Sequence, residues 1–284
     1  MSYLKNWWVT DYADDIFSYF LRKEKTGMTF RCRSPQLGER RRLVDMLRLV
    51  GERLQLGNTS VHLAVRLLDL FMDNHRVEVA HLSLVALGCL LLATKFEDRD
   101  LNVPHVPELH RLVPHCYPLR DYRAVEAILL EFFSWNLSLV TVAHFVEFLA
   151  TRVLGRGDLV RGAELVGTAS ALTPPPDHPS AGLPPPTSGA QALRNALLER
   201  LQYFMDLALQ DEQFMLHRPS VVACACVLAA RSRLGVWPAW PAELSRLTGY
   251  SDASLLSCLH SLFRAAFADE RAVSAKTDDW SGSE

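Results

Sequence analysis

Two pairs of oppositely charged residues stand on or near the apolar faces of helical segments: Lys95 with Glu126, and Arg40 with Asp69. Lys95 closes an apolar run beside Phe96, and Glu126 lies in a stripe with Ile128, Leu129 and Leu130. An ammonium and a carboxylate in such surroundings have two uses. They pair only with each other, or they also make charge-assisted hydrogen bonds to a partner inside an apolar rim. Arg40 and Asp69 fall on or near the apolar faces of successive helical segments, where a hydrogen-bonded ion pair would brace one against the other. That role is structural: such a pair adds little net stability, but breaking one side of it is costly once it is buried.

Metal and nucleophile chemistry find weaker support. His105, His110, His115 and Cys116 come nearest to a ligand cluster, but five-residue steps scatter side chains around a helix. Pro104, Pro107 and Pro114 make the segment loop-like, so surface histidines near a turn are the simpler account. Cys224 and Cys226, two apart on a helix, point away from each other and read as core. There is no glycine-rich phosphate loop, no nucleophile elbow and no His-Glu-x-x-His. No catalytic residue, metal or cofactor is expected.

The 284 residues suit two domains, and 49% apolar content is enough for a core in each. Thirty basic against 32 acidic residues leave a net charge of −2, without the basic excess of a dedicated nucleic-acid binder. Residues 1–8 contain no long apolar core of the kind a secretory leader needs. The longest purely apolar run, 84–93, is about half a membrane span. The six cysteines have no framework spacing, so reduced thiols in the nucleus, the cytoplasm or both are expected.

Apolar positions recur with helical spacing almost throughout. In 40–54, Leu43, Met46, Leu47, Val50 and Leu54 share one face. Ser34-Pro35 supplies a cap and a first-turn proline for that helix, and Thr59 or Ser60 a cap for the next, which runs to about Asn74. Residues 78–97 are apolar nearly all round, as in a helix surrounded by others. A short segment follows Pro104 and Pro107, then a helix over 121–133. A second set covers 141–153, 190–210, 220–234, 241–248 and 252–267. The segment 173–189 holds seven of the chain's 15 prolines and reads as a solvated loop, with Thr173-Pro174 suited to proline-directed phosphorylation. Residues 83–94 and 220–231 match in Ser, Val, Ala, Cys, Leu and Ala, third of five in each set. The expectation is all-α: two tandem five-helix bundles at 34–138 and 139–268, after an N-terminal helical segment at 1–33 and before a disordered tail at 269–284.

These local sequences resemble the cyclin family. Arg40 with Leu43-Val44-Asp45, His62-Leu63-Ala64-Val65 with Asp69, Leu84, Ala93-Thr94-Lys95-Phe96-Glu97-Asp98, and Glu126 with Leu129-Leu130 follow the order of the family's first box. His217-Arg218-Pro219-Ser220 is similar to the approach to the central helix of the second. Trp7-Trp8, residues 68–73 and Ser134-Trp135-Asn136-Leu137 look most like its J-type branch. The resemblance implies a non-catalytic subunit, monomeric until it binds a cyclin-dependent protein kinase, and no direct contact with nucleic acid or membrane. It implies that Lys95 and Glu126 reach main-chain groups near the kinase's mobile C-helix, with Phe96, Leu130, Trp135 and Leu137 supplying apolar surface. Members that dock Arg-x-Leu substrates use an exposed Met, Leu and Trp; Glu39, Leu43 and Met46 stand at those positions here, a departure that argues against such docking. A tandem cyclin-fold scaffold in transcription, of the general-transcription-factor or pocket-protein kind, is the alternative. Arg40, Arg41 and Arg42 are the only tight basic cluster it could use.

Overall fold

The computed structural model describes residues 11–113, 117–155, 157–160 and 188–281. Trp7-Trp8, His115, Cys116 and all but the last two residues of the proline-rich segment 173–189 lie outside them. By internal contacts the chain forms two compact units, one running to Glu147 and including Leu209–Ser220, the other made of Phe148–Ala208 and the chain from Val221 onward.

In the first unit α1 (Ala13–Lys23) precedes five helices: α2 (Leu37–Arg53), α3 (Asn58–Asn74), α4 (Leu82–Glu97), α5 (Val106–His110) and α6 (Leu119–Phe132). Every residue from Leu82 to Thr94 of α4 is buried, as its all-round apolar sequence requires. With the 3-10 turn before it, this helix is long and apolar enough to cross a membrane, yet α2, α3 and α6 pack around it and most of its surface is covered by protein. Two glycines allow close approach. A Cβ on Gly51 would stand 2.6 Å from Val61 Cγ2 on α3, and one on Gly88 would stand 2.6 Å from Val125 Cγ1 on α6.

The helix starts differ slightly from expectation. Ser34 Oγ accepts the Gln36 N–H at 3.1 Å and closes a turn, so α2 proper begins at Leu37. Gly57 takes the cap position of α3, leaving Thr59 and Ser60 inside the helix, with Ser60 Oγ donating to the Asp98 carboxylate. Ahead of α2 the chain is pinned by Asp73, which accepts the N–H groups of Arg31 at 2.6 Å and Arg33 at 2.5 Å on either side of Cys32, itself at φ 56°.

Then come α7 (Val142–Ala150), α8 (Ser188–Gln210), α9 (Pro219–Arg233), α10 (Ala242–Thr248) and α11 (Asp252–Ser281). The unit boundary falls within α7. In the second unit two short strands, β1 (Leu159–Val160) and β2 (Val236–Trp237), pair antiparallel, Leu159 opposite Trp237. Gly249 ends α10 at φ 74°, the left-handed conformation a helix stop of this kind uses.

The tail expected to be disordered from 269 is helical to Ser281. Residues 268–276 contain neither Gly nor Pro, and α11 is held beyond Phe267: Tyr203 donates to Asp269 Oδ2 at 3.1 Å and Arg233 pairs with Glu270. Burial, then Asp269, pushes the Tyr203 hydroxyl up to about 12, so it stays a donor at neutral pH. Cys89, Cys226 and Cys258 are buried free thiols, and Cys224 is buried as well. Burial raises the pKa of Cys89, Cys226 and Cys258, which marks them as packing groups rather than nucleophiles.

Candidate functional site

Lys95 lies in the last turn of α4, where a cation complements the helix dipole, and Glu126 lies in the middle of α6. The close pass of the two helices at Gly88 brings these side chains together, and Lys95 Nζ donates to Glu126 Oε1. The Lys95 side chain is 50% exposed and that of Glu126 17%. Among the described residues Glu126 is the one hydrogen-bond partner of the Lys95 ammonium, so two of its three N–H donors remain open. The groups therefore pair with each other and stay reachable from outside.

The apolar residues around them sort unequally. Phe96 is 49% exposed and Trp135 74%, while Leu130 is half-buried against the core. Leu137, expected to supply apolar surface, is instead a core residue. The cause is the turn after α6. Ser134 and Trp135 have φ of 49° and 61°, and the Trp135 N–H returns to Leu130 O at 2.8 Å. That reversal leaves the indole outside and brings Leu137 in. Ile128, half-exposed on α6, joins the surface set.

The substrate-docking positions do not make an exposed face. Leu43 is sealed in the core with Leu47 and Val50 on the inner stripe of α2, Met46 is half-buried, and Glu39 accepts from Arg42 Nε at 2.8 Å. The same periodicity that made α2 a helix explains why Leu43 points inward. No group of three or more His, Cys, Asp or Glu side chains that could hold a metal occurs among the described residues.

Arg40 and Asp69 are both buried and meet in a two-pronged contact, Nε to Oδ1 at 2.7 Å and Nη2 to Oδ2 at 2.9 Å. The guanidinium also donates to the carbonyls of Gln210 at 2.9 Å and Leu209 at 3.1 Å, which end α8 and lack partners within it. A second polar chain, not foreseen from sequence, ends α4: His144 faces Glu97 Oε1 through Nε2 at 3.1 Å. Its Nδ1 accepts the Thr141 N–H at 3.2 Å, which puts the imidazole proton on Nε2 and directs it at Glu97. Thr141 and His144, three residues apart at the start of α7, were the available signal.

The second unit holds a fully buried arginine of its own. Arg231 donates to Asp158 Oδ2 at 2.8 Å and Oδ1 at 2.7 Å, and to the carbonyls of Val153 at 2.5 Å, Pro238 at 2.7 Å and Ala239 at 3.0 Å. Asp158 also accepts the Gly155 N–H at 2.7 Å.

Helical bundles built around an enclosed central helix, the first carrying a partly exposed Lys–Glu pair and a buried Arg–Asp brace, are the architecture of a cyclin-box protein. The chain belongs to the cyclin family: residues 15–138 match the cyclin N-terminal domain and residues 188–278 the cyclin C-terminal domain. It is 34% identical to cyclin-J of Xenopus laevis over 94% of this chain and 65% of that protein. It is 34% identical to the cyclin-J-like protein of Mus musculus over 95% and 67%, and 28% identical to cyclin-A2 of Gallus gallus over 90% and 56%. The chain thus spans about two thirds of the length of its J-type relatives. A viral cyclin from herpesvirus saimiri shares the fold at a TM-score of 0.65, with 16% identity over 88% of this chain and 96% of that one.

Proposed function

We propose that this chain is a non-catalytic regulatory subunit that binds a cyclin-dependent serine/threonine kinase and holds it in its active form. The observation that carries the proposal is the Lys95–Glu126 pair, bonded yet accessible, with Phe96, Ile128 and Trp135 exposed on the same two helices and the turn after them. The open ammonium donors of Lys95 suit main-chain carbonyls of the kinase, and Glu126 suits its N–H groups. The exposed rings and Ile128 exclude water around those bonds. A kinase needs its strand lysine to meet a C-helix glutamate. A stiff bundle that binds only the inward position of that helix shifts the population toward the active state. Membership of the cyclin family, with J-, A- and B-type relatives, supports this reading. On it, the free chain is a monomer that works in the nucleus, the cytoplasm or both.

The test is retention of cyclin-dependent kinases on the purified chain, compared with Lys95→Ala and Glu126→Ala. Hydrogen bonds to charged groups contribute about 1.5–3 kcal/mol, so each substitution is expected to weaken kinase binding by about 10- to 150-fold. Thermal unfolding is expected to change little, because a partly exposed ion pair contributes about 0–1 kcal/mol. Trp135→Ala is expected to weaken binding as well, with the fold intact, since its indole is mostly exposed in the free chain. Kinase retention equal to wild type in both charge variants would sink the assignment.

A further inference from the structure

At the end of α1, beside the middle of α3 and the turn that follows α6, lies a cavity of 160 Å³. That is room for about five waters, or for one phosphate group with a few waters. It is too small for a drug-sized ligand or a nucleotide, whose pockets run from about 300 Å³ upward. Its polar wall consists of Lys23, Glu24, Thr26, Arg66, Asn136 and Ser138.

Arg66 is the decisive group. Asp69 follows it on α3 at three residues, the spacing of a natural partner, and Asp73 lies two turns on, close enough to be felt electrostatically. Both are committed elsewhere. Asp69 is held by Arg40 at 2.7 and 2.9 Å, and Asp73 by the N–H groups of Arg31 and Arg33 at 2.6 and 2.5 Å. Among the described residues the guanidinium makes one hydrogen bond, from Nη2 to Met28 O at 2.9 Å, out of the five it can donate. Burial lowers its pKa despite the pull of Asp69 and Asp73 in the other direction, as for a cation short of counter-charge.

The rest of the wall has the same character. Lys23 is half-buried and carries an ammonium with no partner among the described residues. Asn136 and Ser138 add an amide and a hydroxyl that are also unbonded there. Glu24 is the only carboxylate on this wall, and both its oxygens are taken, by the Ser220 N–H at 3.0 Å and the Ser220 hydroxyl at 2.7 Å. Two cations and several donors therefore converge on a space of oxyanion size, with the negative charge turned away.

We infer that this cavity binds a phosphate group, either orthophosphate or the phosphomonoester of a phosphorylated side chain, gripped by Arg66 and Lys23. The inference concerns the free chain and stands whether or not a kinase is bound.

The experiment titrates the purified chain by calorimetry with sodium orthophosphate, against sodium chloride of equal ionic strength. A second arm uses phosphoserine capped at both ends, and capped serine. Saturable binding of orthophosphate or capped phosphoserine, absent with chloride and capped serine, is expected. Arg66→Gln is expected to weaken it by about tenfold or more, the loss for a charge-assisted bond. Lys23→Gln is expected to weaken it less and to leave thermal unfolding as in wild type, so it decides the matter if Arg66→Gln does not fold. Capped phosphoserine binding as tightly as orthophosphate identifies a phosphorylated side chain as ligand; exclusion of it identifies the free anion. Absence of saturable binding in both arms, or binding unaffected by Lys23→Gln, would overturn the assignment.

Discussion

Arg231→Ala is expected to destabilise the second unit by about 3–5 kcal/mol, the loss found when one side of a buried ion pair is removed. The side chain of Arg231 is wholly buried and that of Asp158 nearly so. Truncating Arg231 would leave the Asp158 carboxylate, among the described residues, with the Gly155 N–H alone, and would strip a donor from the carbonyls of Val153, Pro238 and Ala239. Those acceptors belong to the chain on both sides of the β1–β2 ladder, so the guanidinium ties two irregular segments to α9. Arg231→Lys would fail too, though by less, because one ammonium cannot span a carboxylate and three carbonyls in the plane of a guanidinium fork. Urea unfolding followed by amide hydrogen exchange measures the effect. Protection should fall in 148–160 and 221–260, while α2 to α6 keep theirs. A change under about 1 kcal/mol would mean that water reaches the site and replaces the arginine.

The two buried arginines show what a sequence displays and what it hides. Arg40 and Asp69 follow the order of the family's first box and fall on or near the apolar faces of consecutive helices, where a pair was expected, and the structure brings them together at 2.7 Å. The carbonyls of Leu209 and Gln210 that complete the Arg40 site have no residue type to announce them. Asp158 lies in irregular chain 73 residues from Arg231, with no period to connect the two. The candidate site divides along the same line. Lys95 was legible because charge is conspicuous at the end of an apolar helix, whereas Glu126, on a helix with several other charges, was legible through the order of the family's first box. Leu43 carried two readings, a docking position by resemblance and the inner stripe of α2 by spacing, and it lies on the stripe. Leu137 was misplaced because two left-handed residues, Ser134 and Trp135, reverse the chain just before it, and neither is a type that signals such a turn. The length of α11 was missed because a charged, Ala-rich run suits a tail or a helix equally, and contacts such as Tyr203 to Asp269 decide between them.

His62 makes the fold sensitive to acid. It lies on α3 among Val61, Leu63 and Ala64, buried, and burial, the neighbouring His144 and Arg48 together lower its pKa from the ordinary 6.5 to about 3. The folded chain thus holds this imidazole neutral, whereas the unfolded chain takes up a proton once the pH drops below 6.5. The unfolded state binds more protons throughout that window, so stability is full above it and falls as the pH moves from 6.5 toward 3. With 1.36 kcal/mol per pKa unit, the loss from this one group is about 2 kcal/mol at pH 5 and approaches about 5 kcal/mol near the lower limit. His62→Leu keeps an apolar side chain of similar bulk in the same place and removes the titration. Denaturant unfolding of both proteins at pH 7, 6 and 5 separates this contribution from that of every other group, because only the difference in slope is used. The wild type is expected to lose about 2 kcal/mol more than the variant between pH 7 and pH 5. Parallel slopes would mean that the folded chain protonates His62 as readily as the unfolded one, which requires water or an acceptor at a ring that lies 4% exposed.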